Sequence, residues 1–227
     1  MPALNTRASK HSAKAPVKRR AADIAYDRIE SLIARLEIAP GTPVVEAEIA
    51  ELTGLGRTPV REALMRMVSI GLVAQQPRRG LVVSSIDVSD HLDVVETRRV
   101  LERLIAASSA RRATPEQRKA LVAAAQKMIK AAEKDNLDAY MQADQELDHI
   151  NHAACGNASA VGAVLPLVVQ CRRFWYAYQH EGEIGEGARA HLAMAEAIAS
   201  SDAAAAEQGA EQLMQYLARF THRIINS

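Results

Sequence analysis

Basic side chains are concentrated in one short part of the chain, between Thr53 and Gly80. This part contains five arginines, Arg57, Arg61, Arg66, Arg78 and Arg79, against a single acid, Glu62. Arg57 and Arg61 are four residues apart and therefore share a face if the segment is helical. Arginine can bind the paired acceptors of guanine in the major groove, or it can bind phosphate. The pattern predicts contact with DNA, and the alternative is a solvated basic helix face.

Two neighbouring groups would complete such a contact. Thr58 follows Arg57 at the predicted helix start, where its hydroxyl and the free N–H groups can donate to a phosphate. Arg78, Arg79 and Gly80 lie in a turn between two β-rich runs. From the tip of a hairpin, this turn can reach the minor groove or the DNA backbone.

A second set of polar residues interrupts apolar helical stripes in the rest of the chain: Arg98, Asp144, Asp148, Arg172 and His191. A charged side chain on an apolar face must find a partner or line a cavity. One interpretation is a polar pocket in which Arg98 and Arg172 bind a carboxylate ligand in bidentate geometry. The other is a structural network in which these arginines pair with Asp144 or Asp148.

The elements that position the first set follow from apolar periodicity and turn residues. A helix is predicted from Ala21 to about Leu36, a second over about Glu46–Leu52, and a third from about Thr58 to Ser69. Leu72–Gln76 and Leu81–Val83 then form a hairpin. Helix, helix, turn, helix and hairpin is the order of a winged helix-turn-helix.

The rest of the chain is predicted to be helical, over about 90–112, 115–134, 137–154, 158–180, 187–200 and 203–225. Thr114, before Pro115 and with Gln117 following, has the pattern of a capped helix start, and Asp202 can cap the last helix. Gly182, Gly185 and Gly187 are typical of a mobile connection. Short connections favour antiparallel neighbours in a bundle.

We therefore predict a mostly α fold, in which an N-terminal winged helix-turn-helix precedes an all-α antiparallel helical bundle. The predicted parts are a flexible basic arm over 1–20, a DNA-binding domain over 21–84, and a ligand-sensing and dimerisation domain over 90–226. The arm has six basic residues and no acidic one, although the whole chain has a net charge of only +1. Such an arm suits a polyanion, and the alternative is a solvated tail.

Composition also bears on location. Cys155 and Cys171 show no metal-type spacing, and two cysteines in 227 residues favour a reducing compartment. The N-terminus has no apolar signal region, and the longest apolar stretch, near Ala160–Val169, is too short to span a bilayer. We expect a cytoplasmic protein without a membrane partner.

Several motifs resemble the GntR family of bacterial regulators. They are Pro40-Gly41, the run from Glu46 to Ala50, the run GRTPVREAL over Gly56–Leu64, and Gly71-Leu72-Val73 with Arg79-Gly80. The resemblance implies DNA contacts at Arg57, Thr58 and Arg61, with a wing contact near Arg79 and Gly80. One position departs from the family pattern, because Ala47 stands where an arginine is frequent.

The helical remainder is similar to the FCD-type ligand-binding domain of the FadR subfamily. That resemblance implies a homodimer, a palindromic operator and DNA binding that a small organic acid modulates. It also implies a divalent metal ion, with Asp144, Asp148 and His191 as ligands. Asp148 replaces the usual histidine, and the fourth ligand position falls on or near Leu213, which cannot bind a metal.

These features bear on three possible functions. The first is a transcription regulator, a repressor that leaves its operator when a small carboxylate metabolite binds. The second is a metal-dependent enzyme that uses Asp144, Asp148 and His191, although the chain has no nucleophile constellation and no phosphate loop. The third is an architectural DNA-binding protein without a sensing role. We expect the regulator and no enzymatic activity.

Overall fold

The computed structural model describes residues 20–179 and 184–227. The helices of these residues are α1 Ala21–Ala34, α2 Glu46–Thr53, α3 Arg57–Ser69, α4 Val88–Arg112, α5 Pro115–Glu133, α6 Leu137–Cys155, α7 Ala158–Tyr178, α8 Ile184–Ala199 and α9 Ala203–Ile225. The strands are β1 Val73–Gln76 and β2 Gly80–Val83. The predicted fold class is confirmed. Residues 1–19 of the arm predicted over 1–20 lie outside the described residues.

The elements α1 to β2 form the part that we call the head. Its core joins the buried faces of α1 and α3 to the start of the hairpin, through Ile29, Ile33, Leu64, Met67 and Leu72. Gly71 has a φ of 76°, a conformation that glycine adopts without strain, and it ends α3 as predicted. The strands pair antiparallel from Val73 opposite Val83 to Gln76 opposite Gly80. This hairpin is the wing.

The helices α4 to α9 form a second core, which is rich in alanine and closed by larger side chains. Helix α4 packs on α9, α7 and α6, while α5 packs on α6 and α8. Leu121, Met128, Leu147 and Phe220 are fully buried within this core. The small alanine side chains let helices approach closely, so polar residues on their inner faces come within contact distance of one another.

Side-chain caps define several of these helix starts. The Thr114 hydroxyl accepts the N–H of Gln117 at 3.2 Å, and the Gln117 side chain accepts the N–H of Thr114 at 2.9 Å. The Asp202 carboxylate accepts the N–H groups of Ala204 and Ala205. Both caps were predicted, and both satisfy N–H groups that a helix leaves without intrahelical partners.

The predicted glycine connection needs correction. Gly185 and Gly187 belong to α8, which begins at Ile184 rather than near 187, and Gly182 lies outside the described residues. Gly187 is buried, and a Cβ added there would lie 2.7 Å from Tyr140 Oη and 3.1 Å from Tyr216 Cε1. Glycine is used here for close approach within a helix rather than to end one.

The head and the helical domain touch along α1 and α7. Val169 of α7 belongs to the head's core. Arg173 of α7 donates to the carbonyl of Ser84, and Arg35 at the end of α1 pairs with Asp138 at 3.0 Å. Among the described helices, none has the length and apolar character that crossing a bilayer requires.

Candidate nucleic-acid interface and ligand pocket

Helix α3 divides its side chains between the core and solvent. Val60, Ala63, Leu64 and Met67 are buried against the rest of the head. Arg57, Thr58 and Arg61, in the first two turns, are exposed. The three residues predicted to contact DNA therefore lie on a free surface at the N-terminus of a helix, where backbone N–H groups are also available.

Arg61 has a partner that the sequence analysis did not identify. Its Nε lies 2.9 and 3.0 Å from the two carboxylate oxygens of Glu46 in α2, and its NH2 lies 2.8 Å from one of them. The hydrogen bond from Arg61 lowers the pKa of Glu46. The Arg61 side chain remains 67% exposed. The pair with Glu46 orients the Arg61 guanidinium. Because an exposed pair of this kind contributes little to stability, Arg61 can leave Glu46 at little cost to bind a ligand.

The hairpin turn also presents cations to solvent. Arg78 and Arg79 are both exposed, and the turn holds Arg78 at a φ of 65° and Gly80 at 74°. Left-handed backbone is unstrained for Gly80 and uncommon for Arg78. The wing therefore ends in two adjacent basic side chains on the same head as α3.

Arg66 serves a different purpose from the other arginines of this part. Its guanidinium pairs with Asp23 at 2.8 Å and lies over the ring of Tyr26, 4.4 Å from the ring centre. Both partners belong to α1. Arg66 therefore links α3 to α1, a contact that spacing along the sequence does not reveal.

The second set of polar residues comes together in the helical domain. Arg98 of α4, Asp144 of α6, Arg172 of α7 and His191 of α8 line one cavity of about 40 Å³. Tyr140, Trp175, Leu213 and Tyr216 line it as well. Trp175 thus borders the pocket and also packs in the core, with its ring centre 5.9 Å from that of Tyr140. We call this cavity the effector pocket.

Arg172 is the central cation of the effector pocket. Its Nε donates to Asp144 at 3.0 Å, and its NH2 donates to Asp148 at 2.6 Å. Burial alone would lower the pKa of Arg172, but attraction to Asp144 and Asp148 outweighs it and the pKa is raised. Asp148 does not line the cavity and acts through Arg172 instead. This arrangement contains the structural network that the sequence left open as an alternative.

Arg98 is paired with a residue that the sequence analysis missed. Its Nε donates to Glu102 at 2.8 Å, and both side chains are buried. Burial would lower the pKa of Arg98, but attraction to Glu102 outweighs it and the pKa is raised. Glu102 lies four residues after Arg98 on the same helix, so the spacing could have indicated the pair.

His191 is oriented by a backbone carbonyl. Its Nδ1 lies 2.8 Å from the oxygen of Gly187, and its Nε2 lies 3.3 Å from Asp144 Oδ1. Burial alone would lower the pKa of His191, but hydrogen bonding and attraction to Asp144 outweigh it, so the pKa is raised. The charged imidazolium satisfies both acceptors at once, because it donates from both nitrogens.

This arrangement does not fit the divalent metal ion that was expected on Asp144, Asp148 and His191. The guanidinium of Arg172 donates to both carboxylates, so a metal ion could bind them only by displacing this guanidinium. If both cations stayed, they would lie side by side and repel each other. No group of three or more His, Cys, Asp or Glu side chains over 20–179 and 184–227 has the arrangement of a metal site. As they are arranged here, Asp144, Asp148 and His191 do not fit a divalent metal ion, and the metal stays an unconfirmed prediction.

Arg172 also contacts the head. Its NH1 lies 3.9 Å from Glu30 Oε1 on α1. Burial raises the pKa of Glu30, and Arg172 partly offsets that rise. Tyr26, one turn earlier on α1, shares a side-chain hydrogen bond with Glu30. Because Arg66 lies over Tyr26, contacts run without a break from the effector pocket through α1 to α3.

Comparison with known proteins gives two family matches. Residues 21–83 match the gntR family of bacterial regulatory proteins, and residues 93–216 match the FCD domain. An uncharacterized HTH-type transcriptional regulator in the TAR-I ttuE-ttuC' intergenic region of Agrobacterium vitis is 30% identical over 58% of this chain and 78% of its own length. The HTH-type transcriptional repressor RspR of Escherichia coli K12 is 26% identical over 82% of each chain.

Solved structures show the same fold. E. coli McbR/YncC superimposes with a TM-score of 0.79, covering 92% of this chain and all of that chain, at 18% identity. At this identity the likeness concerns the arrangement of the helices and the wing, and it does not extend to the residues in the pocket.

Proposed function

The chain belongs to the GntR family of transcription regulators and carries an FCD effector-binding domain, and we propose that it is a homodimeric repressor whose effector is a small organic acid. The proposed division is a DNA-binding head over 21–84, preceded by a basic arm, and a sensing and dimerisation domain over 90–226. The proposed operator is a palindrome, since a two-fold dimer matches an inverted repeat. Its site of action is the cytoplasm, where the operator DNA lies.

The proposed DNA contacts are Arg57, Thr58, Arg61, Arg79 and Gly80. Their support is exposure on two parts of one head, the start of α3 and the tip of the wing. In this arrangement Arg57 and Arg61 reach base edges or phosphates in the major groove, while Arg79 reaches the adjacent backbone or minor groove. Thr58 donates to a phosphate at the helix N-terminus.

The proposed effector contacts are Arg98, Asp144, Asp148, Arg172 and His191. Three of them, Arg98, Arg172 and His191, line one cavity and carry N–H groups that can donate to a ligand carboxylate. The cavity of about 40 Å³ holds only a few atoms, so a ligand must move side chains to enter. A ligand carboxylate that accepts from Arg172 competes with Asp144 and Asp148, and it thereby changes the position of Arg172.

One observation carries the regulatory part of the proposal, namely that Arg172 contacts Asp144 and Asp148 of the helical domain and also Glu30 of the head. A ligand that moves Arg172 alters the contact between α7 and α1. It can then shift the head only if it binds the two arrangements with different affinity. Effector binding and head placement are coupled in this way through a single side chain.

The dimer is proposed to form through exposed apolar residues of the helical domain. Val100 and Leu104 lie one turn apart on α4 and are 70% and 45% exposed, and Leu165 on the neighbouring α7 is 43% exposed. Large exposed apolar side chains favour association with a second copy, which would bury them.

The experiment that tests the function uses the purified full chain and the DNA that flanks its own gene. We expect specific binding that weakens steeply as salt rises, because phosphate contacts release counterions. Organic acids are then screened for loss of the complex. Loss of the complex with one acid supports the repressor, whereas equal affinity for random DNA would contradict it.

The enzyme alternative has no support in this arrangement. Its three candidate metal ligands are held by Arg172 and by one another rather than arranged around an ion. Turnover of any acid that dissolves the DNA complex, followed by product analysis, would revive it, and we expect none.

A further inference from the structure

Arg173 is buried without a carboxylate partner. Its side chain belongs to a residue that is only 3% exposed, and one NH2 donates to the carbonyl of Ser84 at 2.5 Å. Its Nε finds no hydrogen-bond acceptor in the structure. Burial lowers the pKa of Arg173 to about 10, and no described carboxylate offsets this. A buried cation without an opposite charge destabilises the folded chain, and buried charges in proteins are normally paired.

The other buried arginines of the described residues behave differently. Arg98 pairs with Glu102, and Arg172 pairs with Asp144 and Asp148. Arg173 follows Arg172 directly on α7 but points to another side of the helix, so it does not share those acids. Two of the three buried guanidinium groups are thus paired with carboxylates of the chain, and the third, that of Arg173, is not.

Arg173 lines a cavity that is separate from the effector pocket. This cavity, about 290 Å³, lies between the head and the helical domain, and we call it the junction cavity. Its walls come from Gly71 at the end of α3, from the linker Ser84–Asp87, from the first turns of α4, and from Gln170 and Arg173 of α7. Hydroxyl and amide groups of Ser84, Ser85 and Gln170 add hydrogen-bonding capacity near the guanidinium.

His91 adds a neutral polar wall to the junction cavity. It is 4% exposed and stacks on Phe174, with ring centres 3.7 Å apart. Burial, and then repulsion from Arg98, lower the pKa of His91 to about 3. The ring is therefore uncharged at neutral pH and offers one donor and one acceptor, while Arg173 supplies the positive charge.

Two acids, Asp87 and Asp90, also line the junction cavity, and both are exposed. The Asp87 carboxylate is engaged in capping α4, because it accepts from the N–H of Ser89 at 2.8 Å and from the Ser89 hydroxyl at 2.6 Å. Neither acid forms an ion pair with Arg173. Their negative charges repel an anion that fills the mouth of the cavity. A compact anion that reaches the buried guanidinium is therefore favoured over a large one.

We propose that the junction cavity is a binding site for a small oxyanion, a carboxylate or a phosphate, with Arg173 as its principal ligand-binding residue. The anion accepts from the Arg173 guanidinium and from the hydroxyl or amide groups beside it, so it supplies the missing negative charge. This site is distinct from the effector pocket and does not depend on it.

The position of the site gives it a consequence for the head. The linker Ser84–Asp87 joins the wing to α4, and an anion held between this linker and α7 braces the head against the helical domain. Bound anion should therefore slow hydrogen exchange at the linker amides, because local opening would expose the anion site.

The test measures the thermal midpoint Tm of the full chain in sodium phosphate and in sodium acetate, each against sodium chloride at equal ionic strength. We expect at least one of the two anions to raise Tm by about 3–6 °C at a concentration about ten times its Kd. Phosphate alone, acetate alone, or both then identifies the oxyanion class that fits.

Arg173→Gln removes the charge and keeps a polar side chain. This variant should lose the anion-dependent rise while its Tm in chloride stays equal to or above that of the wild type, since an unpaired buried charge is gone. Arg111→Gln, at an exposed residue of α4, controls for loss of one surface charge and should keep the full response. Operator binding of both variants in chloride reports on the head independently of the anion site.

Two results would overturn the proposal. One is a wild-type Tm that neither anion moves relative to chloride. The other is an anion response that Arg173→Gln retains in full, which would assign the effect to the effector pocket or to general screening. Neither result bears on whether the chain binds an operator, so the repressor proposal would stand or fall separately.

Discussion

Arg61 lies on the exposed side of α3, where Glu46 holds its guanidinium in place without burying it. We expect Arg61→Ala to weaken specific operator binding by about 1–3 kcal/mol, because a bidentate contact to a base is lost while the fold is unchanged. Fluorescence anisotropy with the operator and with random DNA measures the difference.

Glu46→Gln serves as the control for this substitution. It keeps the hydrogen-bonding shape of the partner and removes a negative charge that faces the DNA, so affinity should be equal or higher. If Arg61→Ala binds its operator as tightly as the wild type does, Arg61 is not a reader of base sequence.

His191 gives the effector pocket a pH dependence. Its pKa is raised above the ordinary 6.5 in the folded chain, chiefly because the Asp144 carboxylate outweighs the effect of burial. The pair therefore contributes its full stability below about pH 6.5, and this contribution is lost as pH rises through the raised pKa. Denaturant unfolding at a series of pH values should show stability falling over that range.

The variant His191→Gln should remove this fall, since the imidazolium is absent at every pH. His149→Gln, at an exposed histidine on α6, should leave the fall unchanged. A wild-type stability that does not decline above pH 6.5, or a decline that survives in His191→Gln, would mean that His191 is not charged beside Asp144.

At the scale of elements, α8 depends on glycine for its close approach to two tyrosines of the effector pocket. A Cβ at Gly187 would lie 2.7 Å from Tyr140 Oη, so Gly187→Ala should destabilise the chain by about 1–3 kcal/mol through overpacking. Gly185→Ala, on the same helix, meets only the far end of the Arg189 side chain at 3.3 Å. It should be neutral or stabilising by up to about 1 kcal/mol.

Chemical denaturation of both variants provides the comparison. Equal stability of the two would contradict the close packing of α8 against Tyr140 and Tyr216. The same two variants also test the pH dependence of stability, because the carbonyl of Gly187 orients His191. A shift of α8 should therefore also change the pH dependence of the Gly187→Ala variant.

The element boundaries illustrate what the sequence alone could predict. Thr114, Pro115 and Gln117 indicated the start of α5 because capping is local chemistry within one turn. Gly185 and Gly187 were misread as a connection because glycine also occurs where two helices approach closely, and only the neighbouring tyrosines distinguish the two cases. Local signals were sufficient for the order of elements, and tertiary contacts were needed for the start of α8.

The candidate site divides in the same way. The inward faces of four helices could be predicted from the stripes that contain Arg98, Asp144, Arg172 and His191. The pairing of Arg61 with Glu46, and the contact of Arg172 with Glu30, join residues from different elements. Periodicity places a side chain on a face but does not say which face of another element it meets, so these contacts were not predicted.

At the scale of the whole molecule, the exposed apolar residues of α4 are expected to form the dimer contact. Leu104→Asp places a charge within that contact and should convert the dimer to a monomer, which light scattering measures directly. Operator affinity should fall with it, because two heads on one palindrome bind with a high effective concentration.

Ile225→Asp introduces the same charge at another exposed apolar residue, which is 47% exposed near the C-terminus. It should leave the dimer and its affinity unchanged. A dimer that persists in Leu104→Asp would show that the two copies associate through another surface.

The effector pocket is proposed to control the head through Arg172 and Glu30. The most direct measurement is the ratio of operator Kd with and without the acid that dissolves the complex, compared for wild type, Glu30→Gln and Asp138→Asn. Asp138→Asn removes another contact between the head and the helical domain, the exposed pair with Arg35, and serves as the control. We expect Glu30→Gln to bind the operator but lose most of the acid-dependent change in Kd, while Asp138→Asn retains it. An unchanged ratio in Glu30→Gln would show that the effector pocket does not control the head through Glu30.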